Sequence, residues 1–254
     1  MRMSYLVCKF EEVVFSDGDC MKILAVDASG QVASVAVATE NGILAEYSVD
    51  YLKTHSQTLL PMSDEVLRMT DTDKQEIDAI AVSEGPGSFT GLRIGVATVK
   101  GLAAALRKPV IAVPTLQMLA GNFLGNSGLI CPMMDARRNQ VYTAVYRCEG
   151  EELVPVIAQK ACALEEILAE LNALEQPVVL LGDGVDAYKA QIQAGLTGDY
   201  RLAALHRNRQ RAGSLATIAL QKAKNGQMIP GSELVPEYLR LSQAERERME
   251  REQQ

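Results

Sequence analysis

Few side chains in this 254-residue chain are of the types that do chemistry, and their spacing defeats the common catalytic arrangements. The two histidines, His55 and His206, lie far apart. The five cysteines, Cys8, Cys20, Cys131, Cys148 and Cys162, are odd in number and contain no CxxC pair. That pattern argues against a zinc site or a disulfide framework and for reduced thiols. Ser88 follows Gly85-Pro86-Gly87 and superficially fits a nucleophile elbow. Residue 90 is threonine, so the Gly-x-Ser-x-Gly spacing fails, and no His–acid pair can be assigned to Ser88. Ser88 and Thr90 read instead as N-terminal caps of a helix. Arg201, His206, Arg207, Arg209 and Arg211 form a basic cluster free of intervening acids but without interleaved aromatics. It reads as a solvated basic face, with a minor phosphate contact inside a larger assembly as the alternative.

The elements that must position these residues centre on 83–95, Ser-Glu-Gly-Pro-Gly-Ser-Phe-Thr-Gly-Leu-Arg-Ile-Gly. An apolar run at 77–82 is short and β-branched enough for a buried strand, and 91–107 has helical spacing with no proline. At about 100° per residue, Leu92, Val96, Val99, Ala103 and Leu106 share one bulky face. Gly91, Gly95, Ala97, Thr98, Gly101 and Ala105 form a second, small face, with Ile94 and Leu102 among them. Arg93, Lys100 and Arg107 keep a narrow charged line. An ordinary surface helix has one apolar stripe. The bulky face suits a sheet, and the small face admits a second helix at short interaxial distance, from this chain or from a partner.

Around this unit the first half reads as strands at 22–28, 32–38 and 43–49, with Asn41-Gly42 as a hairpin signal. A helix follows at 55–69, with Leu59, Met62, Val66 and Met69 on one face and Leu60 and Leu67 on another. Pro61 is tolerable there only near the first turn, or else it kinks the helix. A short strand at 110–113 and a helix from Pro114-Thr115 complete the half. The second half repeats the order: strands at 129–134, 141–146 and 153–159, a helix at 164–174, a strand at 178–181, and helices near 185–194 and 212–224, the last closed by Asn225-Gly226. The reading is α/β, with residues 21–125 as a first lobe, 126–240 as a second and 241–254 as a charged tail. Residues 1–20 read as a leader outside the fold, an upstream extension or a scar with Met21 a plausible start, and a real extra strand is the alternative.

The composition is that of a chain with ample core material, 48% apolar and 22% charged. Net charge is −7 and the sequence pI is about 5.0, which argues against a large phosphate-binding face of its own. No uninterrupted run of about 18 apolar residues suggests a membrane span.

Two successive βββα-type halves outline the actin, sugar-kinase and Hsp70 superfamily, so two tandem actin-like (ribonuclease H-like) βββαβα lobes with mixed sheets flanked by helices are expected. More closely, the chain resembles the TsaB family (YeaZ-like). The resemblance is carried by Met21-Lys22-Ile23-Leu24-Ala25-Val26-Asp27-Ala28-Ser29, by His55-Ser56-Gln57 and by the stretch from Gly85 to Gly95. Asp135-Ala136-Arg137-Arg138 with Val141-Tyr142, and Pro236-Glu237-Tyr238-Leu239-Arg240, add to it. It covers about residues 21–240, and its glycine-rich stretch is highly specific.

The resemblance implies a cytoplasmic, non-catalytic scaffold in the machinery that makes threonylcarbamoyladenosine beside the tRNA anticodon. Such a subunit pairs with a catalytic TsaD-like paralogue, is joined by a small TsaE-like ATPase, forms a homodimer when alone and meets tRNA only indirectly or weakly. It needs no cofactor of its own, ATP being used by partner subunits. The implied pairing surface lies on the first-half helices: Leu59, Met62, Val66, Gly91, Ile94, Gly95, Thr98, Gly101, Leu102 and Ala105. Gly85, Pro86, Gly87, Ser88 and Thr90 form the helix-capping turn. Catalytic relatives hold a metal with a His-x-x-x-His pair; here Leu59 stands four residues after His55, and one ligand does not make a site. Asp27, Ser29, Asp135, Gly182 and Gly184 trace a vestigial nucleotide cleft. Arg137 and Arg138 stand where small residues would let backbone approach phosphate, and Asp183 would repel an anion. A nucleotide-binding ATPase or kinase-like enzyme of the same superfamily is the alternative reading.

Overall fold

The computed structural model describes residues 20–51 and 54–240. The leader and the charged tail therefore lie outside the described residues, save Cys20. The first sheet contains β1 (Lys22–Asp27), β2 (Ala33–Thr39), β3 (Gly42–Val49), β4 (Ala79–Gly85) and β5 (Val110–Pro114) in the order β3-β2-β1-β4-β5. The β1–β2–β3 meander is antiparallel, while β4 and β5 run parallel to β1. Parallel neighbours need crossovers, supplied by α1 (His55–Met69) before β4 and α2 (Phe89–Leu106) before β5. α3 (Thr115–Gly121) follows.

The second sheet has the same internal order. β6 (Leu129–Asp135), β7 (Gln140–Glu149) and β8 (Glu152–Ala163) form the meander, α4 (Leu164–Leu174) crosses over, and β9 (Val178–Leu181) pairs parallel with β6. α5 (Asp183–Ala187) and α6 (Lys189–Gly195) lead to β10 (Tyr200–Leu202), giving β10-β9-β6-β7-β8. The expected pair of βββαβα lobes is thus present. The helix expected near 185–194 is broken at Tyr188, and β10, three residues long, carried no readable period. The β2–β3 turn is Glu40-Asn41, one residue earlier than the Asn41-Gly42 signal, so Gly42 pairs with Thr39.

Helices lie on both faces of each sheet, and the central strands are buried along almost their whole length and read as near-continuous apolar runs. One core lies between the first sheet and α1–α2, with Leu24, Val26, Ile80 and Val82 against Leu59, Met62, Val96 and Val99. A second lies between the other sheet and α4–α6, where Ile167 and Ile192 are buried. Between the sheets sits a third, apolar layer containing α3 and α7 (Ala212–Lys224). α7 ends as its sequence foretold, with Gly226 at φ +70° and the Gln227 N–H donating to the Lys222 carbonyl at 2.9 Å.

The chain does not stay in its second lobe. α7 packs on β1 and β2, Ile229 and Val110 exchange backbone bonds of 2.8 and 2.9 Å, and Leu234 is buried in the α1–α2 core. Residues 212–234 are therefore built onto the first lobe, although sequence order groups them with the second. α1 runs unbroken through Pro61, its seventh residue, rather than placing it in the first turn.

Candidate functional site: the outer helices and the inter-lobe cleft

α2 divides its residues sharply. Leu92, Val96, Val99 and Ala103 are buried against the sheet, as the bulky face requires. The opposite arc, Thr90, Arg93, Ala97, Gly101, Ala104 and Ala105, is exposed, with Ile94, Thr98 and Leu102 half-buried at its border. A Cβ on Gly101 would meet nothing within 4 Å. On α1, which packs beside it, Leu60 and Met69 are 50% and 65% exposed.

Half of the expected pairing set belongs elsewhere. Leu59, Met62 and Val66 are buried in the chain's own core, at 1%, 4% and 3% exposure. Gly91 and Gly95 face inward, against the carbonyl oxygen and the Cβ of Ala28. Their smallness lets α2 settle onto the end of β1 and offers nothing to a partner. Ile94, Thr98, Gly101, Leu102 and Ala105 remain at or near the surface.

α2 also corrects the membrane reading. Its 18 residues have a mean hydropathy of 1.3, so by length and composition it could cross a membrane. It lies instead on the first sheet, with one face in the core, the other exposed, and Lys100 bonded to the carbonyls of Ser232 and Leu234.

The capping turn is built against the chain itself. Ser88 is the N-cap of α2, its Oγ accepting from the Gly91 N–H at 3.3 Å. Thr90 is the second helical residue and exposed, so the cap is Ser88's alone. Gly85 sits at φ +136°, where a Cβ would collide with the Glu237 carbonyl, and one on Gly87 would collide with the Ser29 carbonyl. The Ser88 N–H donates to that same Ser29 oxygen at 2.7 Å.

Beside the turn lies a cleft of about 460 Å³ between the lobes, with Ser29, Gly87, Ser88, Asp135, Arg137, Asp183, Tyr238 and Arg240 among its lining. Its candidate ligand-binding residues are largely engaged internally. Asp27 is fully buried, and its Oδ1 accepts from Ser83 Oγ, Ser29 Oγ at 2.7 Å and the Ser29 N–H at 3.2 Å. Burial raises the Asp27 carboxyl above its ordinary range despite these donors. Gly30 is packed under the buried Gln210 side chain. Asp135 accepts from Tyr188 Oη at 2.9 Å and the Arg137 N–H at 2.8 Å, and Arg137 Nη1 pairs with it at 3.1 Å. Arg137, Arg138 and Asn139 all take left-handed φ values of +65°, +56° and +58° in the β6–β7 turn. Asp183 accepts from the Asp135 N–H at 3.3 Å, and burial raises its carboxyl.

Gly182 and Gly184 do not form an open adenosine turn. A Cβ on Gly182, at φ +104°, would collide with the Met133 carbonyl, and one on Gly184 would lie 3.0 Å from the same group. His55 begins α1, and its Nε2 lies 2.9 Å from the Gly30 carbonyl, which fixes the helix start to the β1–β2 loop.

Within the basic cluster Arg201 and His206 are exposed, while the other three arginines are engaged by the chain itself. Arg209 pairs with Asp186 at 2.8 Å, Arg211 pairs with Glu46 at 2.5 Å, and Arg207 caps the Asn122 carbonyl at 2.8 Å while stacking on Phe123. Nothing in the local sequence pattern marks Gln210, which packs over Gly30, or Tyr188, which reaches Asp135.

The family model for TsaD, tRNA N6-adenosine threonylcarbamoyltransferase, matches residues 40–248. A Bacillus subtilis relative, "tRNA threonylcarbamoyladenosine biosynthesis protein TsaB", is 37% identical over 89% of this chain and 96% of its own length. The Escherichia coli protein of the same name is 30% identical over 87% and 95%. Among solved structures, YeaZ from Pseudomonas aeruginosa superposes with a TM-score of 0.75 at 27% identity, over 86% of this chain and all of that one. With this fold, the expected motifs in place and relatives matched over nearly their whole length, the chain belongs to the TsaB (YeaZ-like) family.

Proposed function

We propose that this chain serves in tRNA threonylcarbamoyladenosine biosynthesis as a non-catalytic scaffold that docks a TsaD-like catalytic paralogue on the outer face of α2 and α1. The first part of the reading follows the printed names of its relatives. The observation that carries the docking role is the exposed small-residue arc of α2 around Gly101, where nothing stands above the backbone to hold a second helix away. A paralogue of like fold would present a comparable helix pair, and in its absence a second copy of this chain covers the same arc. A TsaE-like ATPase joins the pair, tRNA is met mainly by the partners, and the assembly works in the cytoplasm.

The scaffold reading is supported by how the cleft residues are spent. Asp27, Gly30, Asp135 and Gly182 each face a group of the chain itself, which leaves little for phosphate. The remaining cleft volume keeps an ATP-hydrolysing enzyme as the competing reading. Calorimetric titration of ATP into the isolated chain, and into its mixture with the catalytic paralogue, separates the two. The scaffold reading expects no heat and no turnover from the chain alone; low-micromolar binding with steady hydrolysis by the chain alone would overturn it.

A further inference from the structure

The segment after α7 takes a course that neither helix packing nor the outer docking face explains. Lys100 of α2 donates to the Ser232 and Leu234 carbonyls at 3.3 and 2.9 Å. The chain then turns into the inter-lobe cleft, where the Glu237 N–H donates to the Glu84 carbonyl at 2.6 Å at the end of β4. Tyr238 stacks on Phe89 with ring centroids 4.9 Å apart, and its hydroxyl accepts from Arg93 Nε at 3.2 Å. Every one of those partners belongs to the first lobe.

The remaining contacts cross to the second. Gln159 of β8 donates to Glu237 Oε2 at 2.8 Å, and Arg240 Nη1 donates to the Ala136 carbonyl at 2.9 Å. Ala136 begins the left-handed β6–β7 turn, and residues 237–240 themselves line the cleft. Gly85 is obligatory on this route, because any side chain there would strike the Glu237 carbonyl. Elsewhere the lobes meet through the apolar α3–α7 layer and through the Arg211–Glu46 and Arg207–Asn122 contacts, none of which lines this cleft. Charge-assisted hydrogen bonds across a cleft are directional and set a distance.

We propose that residues 232–240 are a clasp, lying in the inter-lobe cleft and tying α2 to the β6–β7 turn, so that the cleft widens only when Arg240 and Glu237 release the second lobe. The proposal stands apart from the docking role of α2, since it concerns contacts within one chain.

Amide hydrogen exchange on the full-length protein tests it. In Arg240→Ala, exchange at residues 136–140 should rise about fivefold or more, the change in local opening that one lost charged hydrogen bond brings. α7 should stay as protected as in the parent, and Arg107→Ala, outside the clasp, should change neither region. Gln159→Ala, which leaves the segment itself intact, should speed exchange both at the Glu237 amide and at 136–140. Unchanged protection of 136–140 in Arg240→Ala would overturn the clasp. Should Arg240→Ala lose protection in α7 as well, Gln159→Ala decides, and a silent β6–β7 turn there overturns the proposal equally.

Discussion

The carbonyl oxygen of Ala28 occupies the space that a Cβ on Gly91 would need, whereas ten residues along the same helix Gly101 faces open space. One small-residue stripe therefore contains two kinds of glycine. Gly91→Ala forces backbone against backbone and should destabilise the fold by about 1–3 kcal/mol or more. Gly101→Ala should stabilise it by about 0.4–1 kcal/mol, because alanine restricts the unfolded chain and favours helix. Denaturant unfolding of both variants measures the difference in sign.

Ser88 and Thr90 should separate in the same way. Ser88 accepts from the Gly91 N–H, so Ser88→Ala should cost roughly 0.5–1 kcal/mol, the lower half of the N-cap range given the 3.3 Å bond. Thr90→Ala, at an exposed position within the first turn, should stay within about 0.5 kcal/mol of the parent. Equal losses from the two would place the cap wrongly.

Asp27 makes stability depend on pH in a defined direction. Burial raises its carboxyl in the folded state above the ordinary value near 3.8, so the unfolded chain ionises first as pH rises. Its contribution is most favourable below the unfolded value and falls as pH climbs toward the folded one. Asp27→Asn keeps an oxygen to accept from Ser29 and Ser83 and removes the buried charge. Its thermal midpoint relative to the parent should therefore improve from pH 4 to pH 8, with pairing intact. Thermal scans across that range check the slope; a variant that loses pairing while remaining folded would give Asp27 a role beyond the fold.

Much of the architecture could be read along the chain because strands and helices announce themselves by period. α1 was expected at its observed bounds, and the bulky face of α2 lies where its spacing put it. The errors are tertiary. Leu59, Met62 and Val66 form a stripe that suits a partner as well as a sheet, and only the first sheet's position decides for the core. Gly91, Gly95 and Gly101 look alike in sequence; what differs is Ala28, more than sixty residues upstream of each. The return of residues 212–234 to the first lobe leaves no trace in local pattern, since it depends on which sheet α7 can cover. In the cleft, the β6–β7 turn that carries Arg137 and Arg138 was legible between its two strands, while the arrival of Gln210 and Tyr188 from elsewhere in the chain was not.

The docking of a paralogous subunit on the small outer arc of α2 is tested most directly by Gly101→Leu. Its affinity for the TsaD-like paralogue should be measured by calorimetry beside its own thermal midpoint. The side chain enters open space, so the variant should fold with a midpoint close to the parent's and bind at least about tenfold more weakly, a loss of about 1.4 kcal/mol. A folded variant that pairs as tightly as the parent would contradict the account.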